Sequence, residues 1–512
     1  MKPVKIIHPF LFALFPIVSF WAHNAGLGVK IYGDLLGVAV MSAAGTLVLW
    51  AGLSALLRDV RKAGLITTVF LFIFFSYGHF YKLIDEVRIP AGGMILGPDK
   101  ILMGSSFVIL ACGVFFILRF RGDLTGATRI LNVTGVILMV IPFLQGAGTE
   151  YRRLIRQPVA MAMESHGSAG ETAGAQQTQR DIYYIILDSY ANSATLSEIY
   201  GMDNGPMEKY LQEKGFKVAS ESFSNYSKTF LSMSATLNMR YIDDVADDVG
   251  LDSKDQSVPW DMVSHNQAAA FLKSRGYKYI NLSINPHKIA DLNLGTPFQG
   301  REFQMVFIRT TMLKPFMEKV FGQDSRERIL YSFAKLQEIP AMAGPKFIYA
   351  HIMCPHPPFL FDRDGNAVPQ ADNELFGSVW KDAHFKYTEQ VRFVNARIKP
   401  VIEAIQEKSA VAPIIIIQGD HGAMASFQHD GYDTERTPTE ENMRDMMRIF
   451  NAYYLPEGED IVYDGISPVN SFRVIFDHYF GADLPLLEDR SFYSTNFTPY
   501  QFDDVTDIVK FQ

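Results

Sequence analysis

Hydrophobic positions are distributed in two different ways along the 512-residue chain. In the first third they form long runs, from Ile6 to about Ala22, Leu35 to Leu57, Leu65 to Phe80, Ile101 to Leu118 and Ile130 to Leu144. Each is near the roughly 17–25 residues a helix needs to cross a bilayer core, so the pattern predicts five spans within residues 1–147. The first run is short and holds Pro9 and Pro16, as a signal peptide could. Four more runs follow it, however, and no small-residue cleavage pattern ends it. A juxtamembrane segment and linker follow over 148–180. Its later part, Ala160 to Arg180, is rich in Gly, Ala, Ser, Thr and Gln with no apolar period, as expected of a flexible tether.

Residues 181–512 show the second distribution, in which short apolar runs are separated by helical stretches. Ile182 to Leu187, Tyr279 to Ile284, Phe347 to Met353 and Ile414 to Gln418 are β-branched or aromatic and lack strict alternation, as strands buried on both faces do. Helices are predicted over Asp261 to Ser274 and Lys386 to Glu407. The alternation implies an α/β domain with a mostly parallel central sheet and helices on both sides, where sites form beyond the strands' carboxyl ends. Neither a Walker-type nor a dinucleotide-type Gly-rich phosphate loop is present.

Charge sharpens this division. Residues 1–147 hold 12 Lys/Arg against 6 Asp/Glu, while the whole chain carries −8, so the remainder carries −14. That acidic bulk argues against nucleic acid as a partner. With the N-terminus in the cytoplasm, the inner segments carry eight basic residues and the outer loops four, in agreement with the positive-inside rule. An odd number of spans then puts the α/β domain outside, and the expected location is a bacterial inner or plasma membrane. Arg152, Arg153 and Arg156 follow the last span, where they can meet lipid head groups or snorkel. Asp34, Asp85, Glu86 and Asp99 lie near span ends, so nothing suggests the mid-membrane charges that a transporter needs. Cys112 and Cys354 are too few for a disulfide framework.

Three of the four strands deliver an acid or an imidazole to the edge where sites form. The first ends in Asp188, the third is followed by CPHPPF with His356, and the fourth ends in Asp420-His421. These groups suit a divalent cation such as Zn, Mn, Mg or Ca. Singly, each has an ordinary structural alternative as a cap, a turn residue or a core histidine. Gly422, after the pair, is expected to permit a tight turn. Between the first two strands, SNYSKTFLSMSATLNM opens a helix with Ser227, Thr229 and Ser232 near its start. These hydroxyls can be caps, or one can bind the metal and attack phosphorus beside the helix N-terminus.

The order LDSY, NYSKTFLSMSATLN, HIMCPHPPF and QGDHG resembles the alkaline-phosphatase/sulfatase superfamily. Within it, the chain resembles the membrane-anchored branch of lipoteichoic acid synthases and lipid A phosphoethanolamine transferases. The resemblance implies a sulfatase-like extracytoplasmic domain over 181–512 with one divalent ion held by Asp188, Thr229, Asp420 and His421. It makes Thr229 the nucleophile, and His356 the residue that contacts the phosphate or leaving group. His351 aligns with a further family histidine but sits inside a strand, so both a core place and a substrate-binding place are open to it. Asp188 stands where the family often has Glu, and His429 is the substitute available for a downstream substrate-binding histidine. No C/S-x-P-x-R element occurs, which disfavours formylglycine-dependent sulfate-ester hydrolysis.

The function implied is transfer of a phospholipid head group, phosphoglycerol or phosphoethanolamine, to an envelope glycan or lipid-linked acceptor through a covalent Thr229 intermediate. A phosphodiesterase or sulfuric ester hydrolase would use the same residues with water as acceptor. A non-catalytic envelope protein would instead show no bound metal and would tolerate replacement of those residues.

Overall fold

A backbone surrounded by hydrocarbon must satisfy its own polar groups, and a helix does so within one segment. The N-terminal runs are helical in the computed structural model, which describes residues 4–27, 35–84, 87–91, 94–155, 179–295, 302–368, 382–424 and 438–511. The helices are α1 (His8–Asn24), α2 (Leu36–Leu57), α3 (Val60–Ile84), α4 (Pro98–Arg119) and α5 (Thr125–Ile155). A small antiparallel hairpin, β1 (Ile89–Ala91) and β2 (Met94–Leu96), joins α3 to α4. Among the described residues, four helices, α2 to α5, are long and apolar enough to cross a membrane. The first expected span is the shorter α1, of 17 residues with Pro16 inside it, whose Ala13, Ile17 and Trp21 are buried in the bundle. Most of the expected linker, including residues 160–178, lies outside the described residues.

The chain forms two compact units: residues 1–159 with 300–323, and residues 160–299 with 324–512. The second is built on a seven-stranded sheet. Its strands are β3 (Ile182–Leu187), β4 (Lys217–Val218), β5 (Lys278–Leu282), β6 (Leu292–Asn293), β7 (Lys346–Ile352), β8 (Ile414–Gln418) and β9 (Asn451–Tyr454). Their spatial order is β4-β9-β8-β3-β7-β5-β6. β3 pairs in parallel with β7 and β8, β5 pairs in parallel with β7 and β6, and β9 runs antiparallel to β8 and β4. All six residues of β3 are buried, and alternate ones enter separate cores. Tyr183, Ile185 and Leu187 face one cluster, and Ile182, Tyr184 and Ile186 face the other. That two-sided burial accounts for the missing alternation in the sequence.

The helices used below are α6 (Thr229–Asn238), α7 (Glu302–Arg309), α8 (Lys314–Glu338) and α9 (Ala383–Lys408). The expected single helix over Asp261 to Ser274 is instead two, Ser257–Ser264 and Gln267–Lys273. Asn266 makes the break. Its side chain accepts from Ala269 N and donates to Val263 O, both at 2.8 Å, and such local bonds compete with the helical ladder.

Candidate metal centre and active site

The three strands expected to carry site residues are neighbours, in the order β8-β3-β7, so their carboxyl ends open on one place. Asp188 follows β3, Asp420 and His421 follow β8, and all three are buried. One ligand atom from each lies within 4.8 Å of the others. His421 Nε2 stands 3.8 Å from Asp188 Oδ1 and 3.6 Å from Asp420 Oδ2. These separations suit three ligands around one cation.

Two further observations test that fit. Asp420 Oδ1 accepts from Ser189 N at 3.1 Å, but the buried Asp420 Oδ2 has no hydrogen-bond partner among the described residues. A buried carboxylate oxygen without a donor is costly unless a cation satisfies it. His421 Nδ1 lies 2.8 Å from the Gly422 carbonyl, to which it donates, and that bond turns Nε2 toward the carboxylates. The donor set of two carboxylates and an imidazole fits a divalent ion.

Histidines surround Asp188. Burial raises its carboxyl pKa, but His356, His351 and His421 outweigh that and hold it well below the usual carboxylate range. His351, inside β7, places Nε2 2.9 Å from Asp188 Oδ2. Burial lowers the His351 pKa, and its bond to Asp188 raises it further than burial lowers it.

Thr229 is the first residue of α6. One turn on, Ser232 donates to the Asp420 carbonyl at 2.7 Å, which ties the start of the helix to the candidate metal centre. Ser227 is also engaged, donating to Ser494 O and accepting from Ser494 N. Of the three candidate hydroxyls, only that of Thr229 bonds to no described residue. The preceding Lys228 is a further cation at this helix end, and burial pushes its ammonium down to about 8.

His356 lies in the loop after β7, its ring centroid 6.3 Å from that of His421. His429 lies outside the described residues. The structure thus brings together Asp188, Asp420, His421, His351 and His356, with the start of α6 tied to Asp420.

A family model described as Sulfatase matches residues 180–454, more than half of the chain. The chain belongs to the Sulfatase family. It is an enzyme of the alkaline-phosphatase/sulfatase superfamily. No curated protein matches it in sequence. Among solved structures it is similar to the zinc complex of the C-terminal periplasmic domain of EptC from Escherichia coli. That pair shares 14% identity, covers 64% of this chain and 92% of that one, and has a TM-score of 0.38. The phosphonate monoester hydrolase of Agrobacterium radiobacter shares 12% identity over 61% of this chain and 80% of that one, with a TM-score of 0.40. The periplasmic domain of the phosphoethanolamine transferase EptC from Campylobacter jejuni shares 11% identity over 59% and 89%, with a TM-score of 0.34.

Several residues that shape this Sulfatase site carry no motif. Ser189 adopts φ 62°, a left-handed conformation unusual for a residue with a Cβ. From there its N–H reaches Asp420, and its carbonyl accepts from Tyr387 Oη at 2.7 Å. One turn along α9 from Tyr387, the buried Gln390 holds the His356 loop. It donates to Pro355 O and His356 O, each at 3.0 Å, and accepts from Leu360 N and Phe361 N. Helix-interior polar residues such as these look like surface positions in a sequence, and only the i, i+3, i+4, i+7 spacing of Tyr387, Gln390, Val391 and Val394 hints at burial. Gly422 departs from its expected role: its φ is not left-handed. A Cβ there would lie 2.1 Å from Asp445 O and 2.8 Å from Arg448 O, so close backbone approach, not a turn, requires glycine.

Proposed function

We propose that this enzyme transfers a phospholipid head group, phosphoglycerol or phosphoethanolamine, to an envelope glycan or lipid-linked acceptor, with Thr229 as covalent carrier. The observation that carries the reading is the Thr229 hydroxyl at the first position of α6, which bonds to no described residue, on a helix bonded through Ser232 to the carbonyl of the proposed ligand Asp420. Asp188, Asp420 and His421, with Thr229, would hold one divalent ion, which when bound supplies Lewis acidity to a neighbouring hydroxyl and neutralises phosphoryl charge. Thr229 Oγ1 gives up its proton to water and forms a bond to phosphorus as the bond to the diacylglycerol oxygen breaks, and His356 gives that oxygen its proton. In the second displacement the acceptor hydroxyl attacks phosphorus and gives up its proton to His356, the bond from phosphorus to Thr229 Oγ1 breaks, and Oγ1 regains a proton from water. The N-terminus of α6 stabilises the anion throughout.

The anchor supports a lipid donor. Five crossings, with α1 as the first and the N-terminus in the cytoplasm, put residues 181–512 on the outer side of a bacterial inner or plasma membrane, as the basic residues favour. Hydrolysis, with water as the second acceptor, would use the same side chains.

The test is intact-mass and peptide mass spectrometry of the protein after incubation with phospholipids and Mn or Zn. A head-group adduct on Thr229, lost in Thr229→Ala, is expected, and its mass names the group. Products formed with and without an acceptor glycan then separate transfer from hydrolysis. Absence of any adduct with bound metal present would overturn the covalent route.

A further inference from the structure

Residues 300–323 lie in sequence between two parts of the sheet-bearing unit, yet they belong to the compact unit of the N-terminal helices. Phe307, on α7, is 4% exposed and joins a core with Ala13 and Ile17 of α1, Val38 of α2, and Leu71 and Phe75 of α3. Its ring centroid lies 5.7 Å from that of Phe20 and 5.8 Å from that of Phe75. Phe75 stands nine residues before the end of α3 at Ile84, or about 14 Å along the helix axis. Against a hydrocarbon core of roughly 30 Å, Phe307 therefore reaches well inside the apolar part of the bundle.

The backbone explains how the segment is accepted there. Gly78 N donates to Thr310 O at 2.8 Å, and Met312 N donates to Phe74 O at 3.0 Å. Phe74 C=O and Gly78 N–H are i−4 and i partners in a regular helix, so residues 310–312 bond to the two groups of a single rung of α3. A Cβ at position 78 would lie 2.5 Å from Thr310 Cα. Glycine in a helix interior costs about 1 kcal/mol relative to alanine, and this contact gives Gly78 its reason. One turn later, Lys314 Nζ lies 3.4 Å from the Tyr81 ring centroid. Non-spanning backbone at membrane depth is tolerated where protein encloses it, and the bonds to α3 do so here.

We propose that residues 302–314 are a re-entrant staple, a second attachment that holds the catalytic part of the chain to the membrane anchor independently of the linker. A polypeptide tied only through residues 156–178 would have one attachment to the anchor. One that returns to dock between α1 and α3 is held at two points of the chain. The staple does not depend on which group is transferred.

The test is made on the full-length protein in membrane vesicles, with a protease site placed within residues 160–178. After cleavage and a high-salt wash, the fragment beginning near residue 179, which contains none of α1 to α5, is expected to stay with the membrane. Gly78→Leu and Phe307→Asp, cut in the same way, are expected to lose it to the supernatant. Release of the wild-type fragment would overturn the staple, as would equal retention of both variants. A Phe74→Cys/Met312→Cys pair joined by a short bis-maleimide gives a reading that disturbs neither contact. The cut halves should migrate as one band, and two separate bands would count against the docking.

Discussion

His351 Nε2 lies 2.9 Å from Asp188 Oδ2, so a strand-interior histidine grips the first carboxylate of the candidate metal centre from inside the sheet. The bond fixes which way Asp188 presents its other oxygen, Oδ1, to His421. His351 is thereby a positioning residue for the centre. Replacing such a partner costs about 10–100-fold in metal affinity in comparable sites. His351→Leu is expected to weaken Zn or Mn binding by that order, read by competition with a chelator. Unchanged affinity would sink the assignment.

Asp420 Oδ2 is buried and has no hydrogen-bond partner among the described residues, so a cation at the candidate centre is expected to turn a cost of the metal-free protein into a gain. Asp420→Asn removes the charge and offers a donor to the neighbouring imidazole. The metal-free variant should resist urea at least as well as the metal-free wild type. Saturating metal, at about 100 times the dissociation constant, should stabilise the wild type by about 2.7 kcal/mol and the variant hardly at all. Equal stabilisation of both would show that the ion binds elsewhere.

Gln390 satisfies four backbone groups of the His356 loop from one side chain. Gln390→Glu keeps the acceptor and loses the donors to Pro355 O and His356 O, at a cost of about 1–3 kcal/mol in folding stability. Because His356 is carried by that loop, turnover should fall more than substrate binding weakens. A kcat equal to wild type in a folded variant would detach the loop's geometry from the reaction.

His287 is buried and held by Tyr279 Oη at 2.5 Å, with Tyr349 beside its ring. Burial lowers its pKa to about 3, and the nearby His351 and His265 add to the effect. The unfolded chain binds the proton below about 6.5, whereas the folded chain excludes it down to about 3. Stability is therefore fully present above that window and lost as pH falls through it, by about 1.4 kcal/mol per pH unit at most. Denaturation midpoints of the detergent-solubilised protein should drop between pH 7 and pH 5, and His287→Gln should flatten the slope. Parallel slopes for the two proteins would assign the acid sensitivity to other groups.

The sequence by itself determined what depends on neighbours in the chain. Ile182–Leu187 and Ile414–Gln418 are strands with the expected bounds because unbroken β-branched runs suit a sheet covered on both faces. Asp188, Asp420, His421 and Thr229 could be nominated because each stands at the end of a strand or the start of a helix, where active groups gather. The division into an apolar helical third and an α/β remainder was equally legible.

Tertiary structure decided the rest. It set β8 beside β3, so that Ser189 N bonds to a carboxylate 231 residues away. It engaged Ser227 and Ser232 in other bonds and left the Thr229 hydroxyl without a bond to any described residue. It made Gln390 a loop clamp, and it placed residues 300–323 among the N-terminal helices through a glycine whose missing Cβ is invisible until Thr310 lies against it. Propensity and periodicity act over a turn or a few residues. Which distant polar group meets which is fixed only when the cores close and each buried donor must find a partner.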